Sequence, residues 1–159
     1  MQLQQAIFGA GCFWHVEHYF SKIKGVKSTS VGYSGGNTKN PKYSDVCTGL
    51  TGHIEVVKVI FDTKIITYDK LVDHFWKIHD PCSLDKQGPD VGTQYKSVIF
   101  ATNTIQKEIA IKSKRNFNLK KYNDKIVTII EILKKFYRAE AYHQKYIEQN
   151  QLSPNNVCK

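Results

Sequence analysis

Long apolar runs are missing from this sequence. The most apolar stretch, 56–61, is interrupted by Lys58, far short of the roughly 20 apolar residues a helix needs to cross a bilayer. The first eleven residues carry no Lys or Arg and lead straight into a strand-like run, so no signal-peptide pattern is seen and a cytoplasmic protein is expected. Cysteine pairs of the C-x-x-C kind are also absent. The four cysteines stand at 12, 47, 82 and 158, a spacing that offers no structural zinc site, and no metal is expected. In a reducing cytosol they are not expected to act as staples, which leaves each as a reactive thiol or a small buried hydrophobe. No internal repeat and no low-complexity linker interrupts the chain. Acidic residues are few beside basic ones, 14 against 23, giving a net charge of +9. Such an excess raises the question of nucleic-acid or membrane-surface binding. The densest basic run, Lys112, Lys114, Arg115, Lys120 and Lys121, has only Phe117 and Tyr122 interleaved. It reads as a solvated helix flank rather than a groove that stacks bases, so neither nucleic acid nor membrane is expected as a partner.

What is present suits one globular domain. The chain has 159 residues, 41% hydrophobic and 23% charged, enough to bury a core without crosslinks. Residues 4–9 read as a strand. Cys12, Val16, Tyr19, Phe20 and Ile23 then recur at helical spacing, which places Cys12 in the first turn of a helix ended by Gly25. Strands are expected over 26–32 and, from β-branched alternation, over 54–62. The segment 33–53 between them reads as a long ordered loop. Thr67 can cap a helix carrying Leu71, Val72, Phe75, Trp76 and Ile78, which Asp80-Pro81 ends. A second long loop covers 81–94, followed by a strand at 95–101, a helix from Thr104 to about residue 119, a strand at 126–133 and a helix at 139–148. This order predicts an α+β fold: a two-layer sandwich with a mixed β-sheet, flanking helices and a ferredoxin-like, split β-α-β core. The whole of 1–159 reads as one catalytic domain, with 149–159 as a flexible tail that carries Cys158. Two long loops in so compact a chain point to function in the loops.

Three stretches carry candidate chemistry. In Gly9-Ala10-Gly11-Cys12-Phe13-Trp14, two glycines permit a tight strand-to-helix turn, and the helix start brings backbone N–H groups toward the sulfur. A helix terminus is worth only about 0.3–1 kcal/mol, under one pKa unit, so it does not by itself make a strong nucleophile. A reactive thiol and a buried structural one both fit Cys12. Glu55 is the second residue of an alternating strand and shares a face with Val57, Val59 and Phe61. A carboxyl on such a face is costly when ionised and can serve as a neutral acid; at a frayed strand end it would simply be solvated. His53 is either a base or ligand, or a loop brace held by hydrogen bonds. The loop Gln87-Gly88-Pro89-Asp90-Val91-Gly92-Thr93-Gln94-Tyr95 is either a plain turn or the carrier of a phenol aimed at a site.

Together these stretches resemble the A-type peptide-methionine sulfoxide reductase family. The resemblance rests on Gly11-Cys12-Phe13-Trp14 with Glu17, Gly32-Tyr33-Ser34-Gly35-Gly36, Tyr43, Val46-Cys47-Thr48-Gly49 and Gly52-His53-Ile54-Glu55. It continues through Phe75-Trp76, His79-Asp80-Pro81, Gln87-Gly88 with Asp90, Gly92-Thr93-Gln94-Tyr95-Lys96-Ser97, Phe136-Tyr137, Ala139-Glu140 and Tyr142-His143-Gln144. It implies that Cys12 attacks the sulfoxide sulfur and becomes a sulfenic acid. Phe13 and Trp14 would hold the substrate's methyl end. Glu55, Tyr43 and Tyr95 would bond and protonate the sulfoxide oxygen, and Asp90 would order the site. Cys158 would resolve the sulfenic acid as a disulfide that thioredoxin then reduces. The implied substrate is the S epimer of methionine sulfoxide, free or in proteins, in keeping with the general rule of one enzyme per epimer. The implied protein is a monomer without a cofactor. The chain departs from the family pattern at His15, Pro89 and Cys82, and its tail holds one cysteine. Rival readings are a thiol hydrolase pairing Cys12 with His53 or His143, which needs a basic imidazole, and a redox sensor without turnover.

Overall fold

The structure, a computed structural model, describes residues 2–152. Strand β1 (Leu3–Ala10) turns Ala6, Phe8 and Ala10 to one face and Ile7 to the other. Helix α1 (Phe13–Ser21) buries Phe13, Val16, Glu17 and Phe20, and β2 (Val26–Ser34) follows. A short helix α2 (Tyr43–Cys47) lies in the next loop, ahead of β3 (Ile54–Asp62). Helix α3 (Tyr68–Lys77) buries Leu71, Val72, Phe75 and Trp76 on one stripe, as a helix packed on a sheet must. A two-residue ladder, β4 (Lys86–Gln87) with β5 (Asp90–Val91), precedes a 3-10 turn at Thr93–Tyr95 and strand β6 (Ser97–Ala101). Helix α4 (Thr104–Phe117) starts at Asn103, whose side-chain oxygen accepts the Gln106 N–H at 2.9 Å, a cap that satisfies one otherwise orphaned donor. Strands β7 (Ile129–Ile132) and β8 (Phe136–Arg138), a 3-10 turn at Ala141–His143 and helix α5 (Tyr146–Gln149) complete the described chain.

The main sheet runs β7-β6-β1-β3-β2-β8, antiparallel except for the parallel pair β6–β7. Its central four strands, connected through α1 and α3, form the split β-α-β arrangement expected from the sequence. β7 and β8 occupy opposite edges, yet only residues 133–135 separate them. Those residues let the chain span at most about 14 Å, whereas the edges of a flat six-stranded sheet lie roughly 24 Å apart. The sheet therefore curls until its edges approach. Inside the curl sit Ile7, Ile54, Val56, Val98 and Phe100, covered by Ile129, Leu133 and Phe136. The outer face carries the larger core, where Phe8, Val57, Val59 and Phe61 meet side chains from α1, α3 and α4.

The structure shortens or breaks several expected elements. Five-residue α2 and three-residue β8 are too short to leave a periodic signal. Tyr95 belongs to the 3-10 turn rather than to β6, and the strand expected at 126–133 is ordered only as β7. Past α4 the chain takes a π-turn at Asn118–Tyr122. The helix expected at 139–148 is split, because distant groups take its backbone partners. Gln144 Oε1 accepts the Val31 N–H, and its Nε2 donates to the carbonyls of Val31 and Ala139. The Lys145 N–H goes to Glu17, and Lys145 takes φ +53°. Of the expected tail, residues 150–152 bond back onto α5 through Asn150, Gln151 and Leu152 N–H groups. Cys158 lies outside the described residues.

A polar relay ties α3 to the sheet. Neutral His79 donates from Nδ1 to the Phe75 carbonyl at 2.8 Å and accepts at Nε2 from Ser97 Oγ at 2.7 Å. Ser97 in turn meets Thr128 Oγ1 at 2.7 Å. Burial pushes the His79 imidazole down to about 4. A histidine with a depressed folded pKa contributes stability that is complete above its unfolded value and is lost as pH falls through the folded one. The protein is thus expected to lose stability between about pH 6.5 and pH 4 partly through His79. His79→Gln should melt lower at neutral pH but show a shallower decline toward pH 4.5. Parallel slopes for the two proteins in thermal melts would remove His79 from the acid response.

Candidate active site

Cys12 is the N-cap residue of α1 rather than part of its first turn, and it is 9% exposed. Gly11 makes the preceding turn at φ +95°, and a β-carbon there would lie 2.8 Å from Gln87 Cβ. Only glycine gives both that backbone and that close approach without strain. Gln87 is itself fixed, donating from Nε2 to the Asp80 carbonyl at 2.6 Å and accepting the Asp80 N–H at 3.0 Å. The second long loop is thereby pinned against the strand-to-helix turn that carries the thiol.

Glu55 comes from the neighbouring strand β3, opposite Tyr33 of β2. It is 2% exposed, so the frayed-end reading does not hold. Its Oε1 accepts the N–H of Phe13 at 3.1 Å. That N–H is one of the free donors of the helix start, and it is spent on the carboxyl. Burial pushes the Glu55 carboxyl up to about 8; the Phe13 N–H works against this rise and the charge of Asp90 adds to it. Glu55 is therefore mainly protonated at neutral pH, with its second oxygen able to donate.

Two phenols complete the polar cluster. Tyr43 opens α2 and Tyr95 ends the 3-10 turn of the second loop. Burial raises both well above the usual phenol range, and the charge of Glu55 adds to the rise once that carboxyl ionises, so each stays a hydrogen-bond donor at any physiological pH. Tyr43 also bonds the thiol of Cys47, one helical turn on. The Asp90 carboxyl is raised by burial, with His15 opposing. The structure thus brings Cys12, Glu55, Tyr43, Tyr95 and Asp90 to one end of the sheet.

Phe13 and Trp14 face Tyr33, His143 and Tyr146, of which the sequence reading assigns a candidate role only to His143, in the rival hydrolase. The Phe13 ring lies between Tyr33 and His143. Trp14 donates from Nε1 to His143 Nδ1 at 3.0 Å and stacks on Tyr146 at 3.7 Å. Glu140 accepts from the Tyr33 hydroxyl and from the Tyr43 N–H, each at 2.9 Å. Burial works to raise the Glu140 carboxyl, yet the Tyr43 and Tyr33 bonds hold it below the usual range. Two carboxyls in one region are thus kept in opposite protonation states by their surroundings. Periodicity could not reveal Glu140, His143 or Tyr146, since their partners lie 97 or more residues away. The motif Ala139-Glu140 with Tyr142-His143-Gln144 was the one signal.

The geometry engages elsewhere both imidazoles, His53 and His143, that the thiol-hydrolase reading would pair with Cys12. His53 Nδ1 accepts the Gly36 N–H at 3.1 Å and its Nε2 donates to the Thr38 carbonyl at 2.8 Å, so it braces the first long loop. The His143 Nδ1 lone pair is taken by Trp14, which leaves the proton on Nε2. Among the described residues no group of three or more His, Cys, Asp or Glu could hold a metal ion, and no helix is long and apolar enough to cross a membrane.

Glu55 gives a stability test. Its folded pKa near 8 lies above the ordinary 4.5, so the folded protein binds the extra proton between those values and loses stability as pH rises through them. Glu55→Gln keeps an acceptor for Phe13 and a donor on the other atom but cannot ionise. The variant is expected to melt close to the wild type near pH 5 and above it near pH 9. A constant gap between the two at both pH values would mean that Glu55 is ionised throughout.

Comparison with known proteins supplies the lineage. The family described as peptide methionine sulfoxide reductase matches residues 4–159. The chain is 55% identical over 156 residues to peptide methionine sulfoxide reductase MsrA of Methanothermobacter thermautotrophicus, covering 98% of this chain and 90% of that one. It is 47% identical to the same-named protein of Nautilia profundicola, covering 96% and 87%. Among solved structures, reduced Mxr1 from Saccharomyces cerevisiae superposes with a TM-score of 0.90 at 36% identity, covering 96% and 88%. Methionine sulfoxide reductase A of Corynebacterium diphtheriae gives 0.91 at 36% identity, covering 95% and 76%. With a match from end to end in sequence and the same curled sheet in structure, the chain belongs to the peptide methionine sulfoxide reductase family.

Proposed function

We propose that this chain reduces methionine S-sulfoxide, free or in proteins, to methionine, with Cys12 as the attacking thiol. The observation that carries this reading is the protonated, buried Glu55 bonded to the N–H of Phe13, the residue next to Cys12. A sulfoxide sulfur is a poor electrophile until its oxygen is protonated or strongly hydrogen-bonded. Glu55, Tyr43 and Tyr95 are donors of the kind that such an oxygen needs. The Cys12 sulfur attacks the substrate sulfur while Glu55 delivers a proton to the oxygen. The oxygen passes to Cys12 as a sulfenic acid and the thioether leaves, so the substrate gains the two electrons that Cys12 loses. Asp90 helps to keep the proton on Glu55 through its charge. Phe13 and Trp14 take the methyl end.

Regeneration is assigned to Cys158, whose thiol closes a disulfide with Cys12 that thioredoxin reduces. The solved complex of Mxr1 with Trx2, at 27% identity and a TM-score of 0.66, supports this choice of reductant. Thiols carry every electron, so no cofactor is required. Residues 1–159 act as one catalytic unit, with 149–159 delivering the resolving thiol. A reducing, cytoplasmic site of action suits this cycle.

The test is a reaction with one equivalent of a methionine sulfoxide peptide and no reductant, read by mass spectrometry. Met1 is the only methionine in the chain, so the product methionine is read without interference. One methionine per protein and a Cys12–Cys158 disulfide are expected, with neither in Cys12→Ser. Glu55→Gln should retain partial activity, since an amide still donates; activity as low as in Cys12→Ser would make proton transfer indispensable. Wild-type rates should fall as pH rises through about 8, where Glu55 loses its proton. Absence of product both in single turnover and with dithiothreitol would overturn the assignment.

A further inference from the structure

Helix α1 carries Cys12 at its start and grips the C-terminal segment along its length. Glu17 is 1% exposed. Its carboxylate accepts from the Lys145 backbone N–H at 2.7 Å, from Lys145 Nζ at 2.9 Å and from Thr29 Oγ1 at 2.9 Å. Lys145 Nζ also donates to the Thr29 carbonyl at 2.6 Å. One ion pair thus joins α1, β2 and the root of α5 across 128 residues of sequence. Lys145 is held at φ +53°, a backbone seldom adopted by residues with a β-carbon. Trp14 stacks on Tyr146 and His18 meets Glu148 at 2.7 Å on either side of the pair. The Glu17 cluster has no contact with the sulfoxide-activating donors in these bonds, so the activation chemistry leaves it unused.

We propose that Glu17, Thr29 and Lys145 form a clasp that positions the C-terminal segment for the disulfide-forming half of the reaction. This rests on Cys158 as the resolving thiol. From Leu152 to Cys158 the chain can reach at most about 20 Å. The place where Leu152 is held therefore decides how often the thiol meets Cys12, as for any short tether. Leu152 is set by its N–H bond to the Ile147 carbonyl at 3.0 Å, and α5 is set by the clasp at its N-cap residue, Lys145. In the step served, the Cys158 thiolate attacks Sγ of the Cys12 sulfenic acid. The S–S bond forms, the S–O bond breaks, and the hydroxide takes a proton to leave as water. Glu17, Thr29 and Lys145 are positioning residues and touch no reacting atom.

The test compares Glu17→Gln, Lys145→Gly and Cys158→Ser with the wild type after one equivalent of methionine sulfoxide peptide. Lys145→Gly removes the ammonium but suits the left-handed backbone, so it guards against simple misfolding of Glu17→Gln. Both clasp variants should release methionine at the wild-type rate, while disulfide formation slows at least about tenfold, as expected when a reacting group is misplaced. The sulfenic acid then accumulates and is captured by dimedone. Turnover driven by dithiothreitol should persist while thioredoxin-driven turnover falls. Disulfide formation at the wild-type rate in both variants would overturn the clasp, as would an equal slowing of methionine release, which would mark it as support for the helix alone. A disulfide that still forms on Cys12 in Cys158→Ser would instead overturn the resolving assignment beneath it.

Discussion

A carboxyl group withdrawn from water at the start of a helix sets the conditions for the rest of this site. Glu55 stands on the core side of β3, on the same face as Val57, Val59 and Phe61. Ionising it there would strand a charge in apolar surroundings. One oxygen accepts the Phe13 N–H, the proton stays on the group, and the helix start loses a donor that could otherwise have favoured a thiolate. The site is therefore rich in hydrogen-bond donors and, among the described residues, poor in groups that would stabilise a thiolate. Buried Tyr43 and Tyr95 extend the same character, and Asp90 reinforces it by charge. Glu140 shows the contrast: bonds from Tyr33 and the Tyr43 N–H keep it an anion a short way off.

The curl of the sheet delivers the second half of these contacts. The short connection between β7 and β8 carries the chain from one edge of the sheet to the other. From β8 onward the chain lies beside β2 and α1. Gln144 fastens it to Val31 and Ala139, Lys145 to Glu17 and Thr29, and His143 and Tyr146 to Trp14. The helix that Cys12 caps is thus packed between the sheet that holds Glu55 and a returning C-terminal segment. Each end of the chain stabilises the other, which explains why irregular backbone can persist at 139–145.

The elements legible in the sequence were those whose residues answer to neighbours three, four or two positions away. The stripes of α1 and α3, the alternation of β3 and the turn at Gly11 are of this kind. The face shared by Glu55, Val57, Val59 and Phe61 followed directly from the strand period. His53 proved to be the loop brace that its polar, glycine-rich setting allows. Helix α2, strand β8 and the break at Gln144 and Lys145 were not legible. They are too short for a periodic signal, or they are imposed by partners far along the chain.

The sequence by itself determined the split β-α-β order, the position of Cys12 at a strand-to-helix turn and the apolar face on which Glu55 stands. Those depend on local spacing and on the backbone freedom of glycine. Only the tertiary structure decided that Glu55 keeps its proton while Glu140 does not, that His143 serves Trp14 rather than a thiol, and that Lys145 closes on Glu17. The reason is physical. Protonation state and hydrogen-bond partner are set by desolvation and by groups brought together from 97 to 129 residues apart, and no local pattern encodes either.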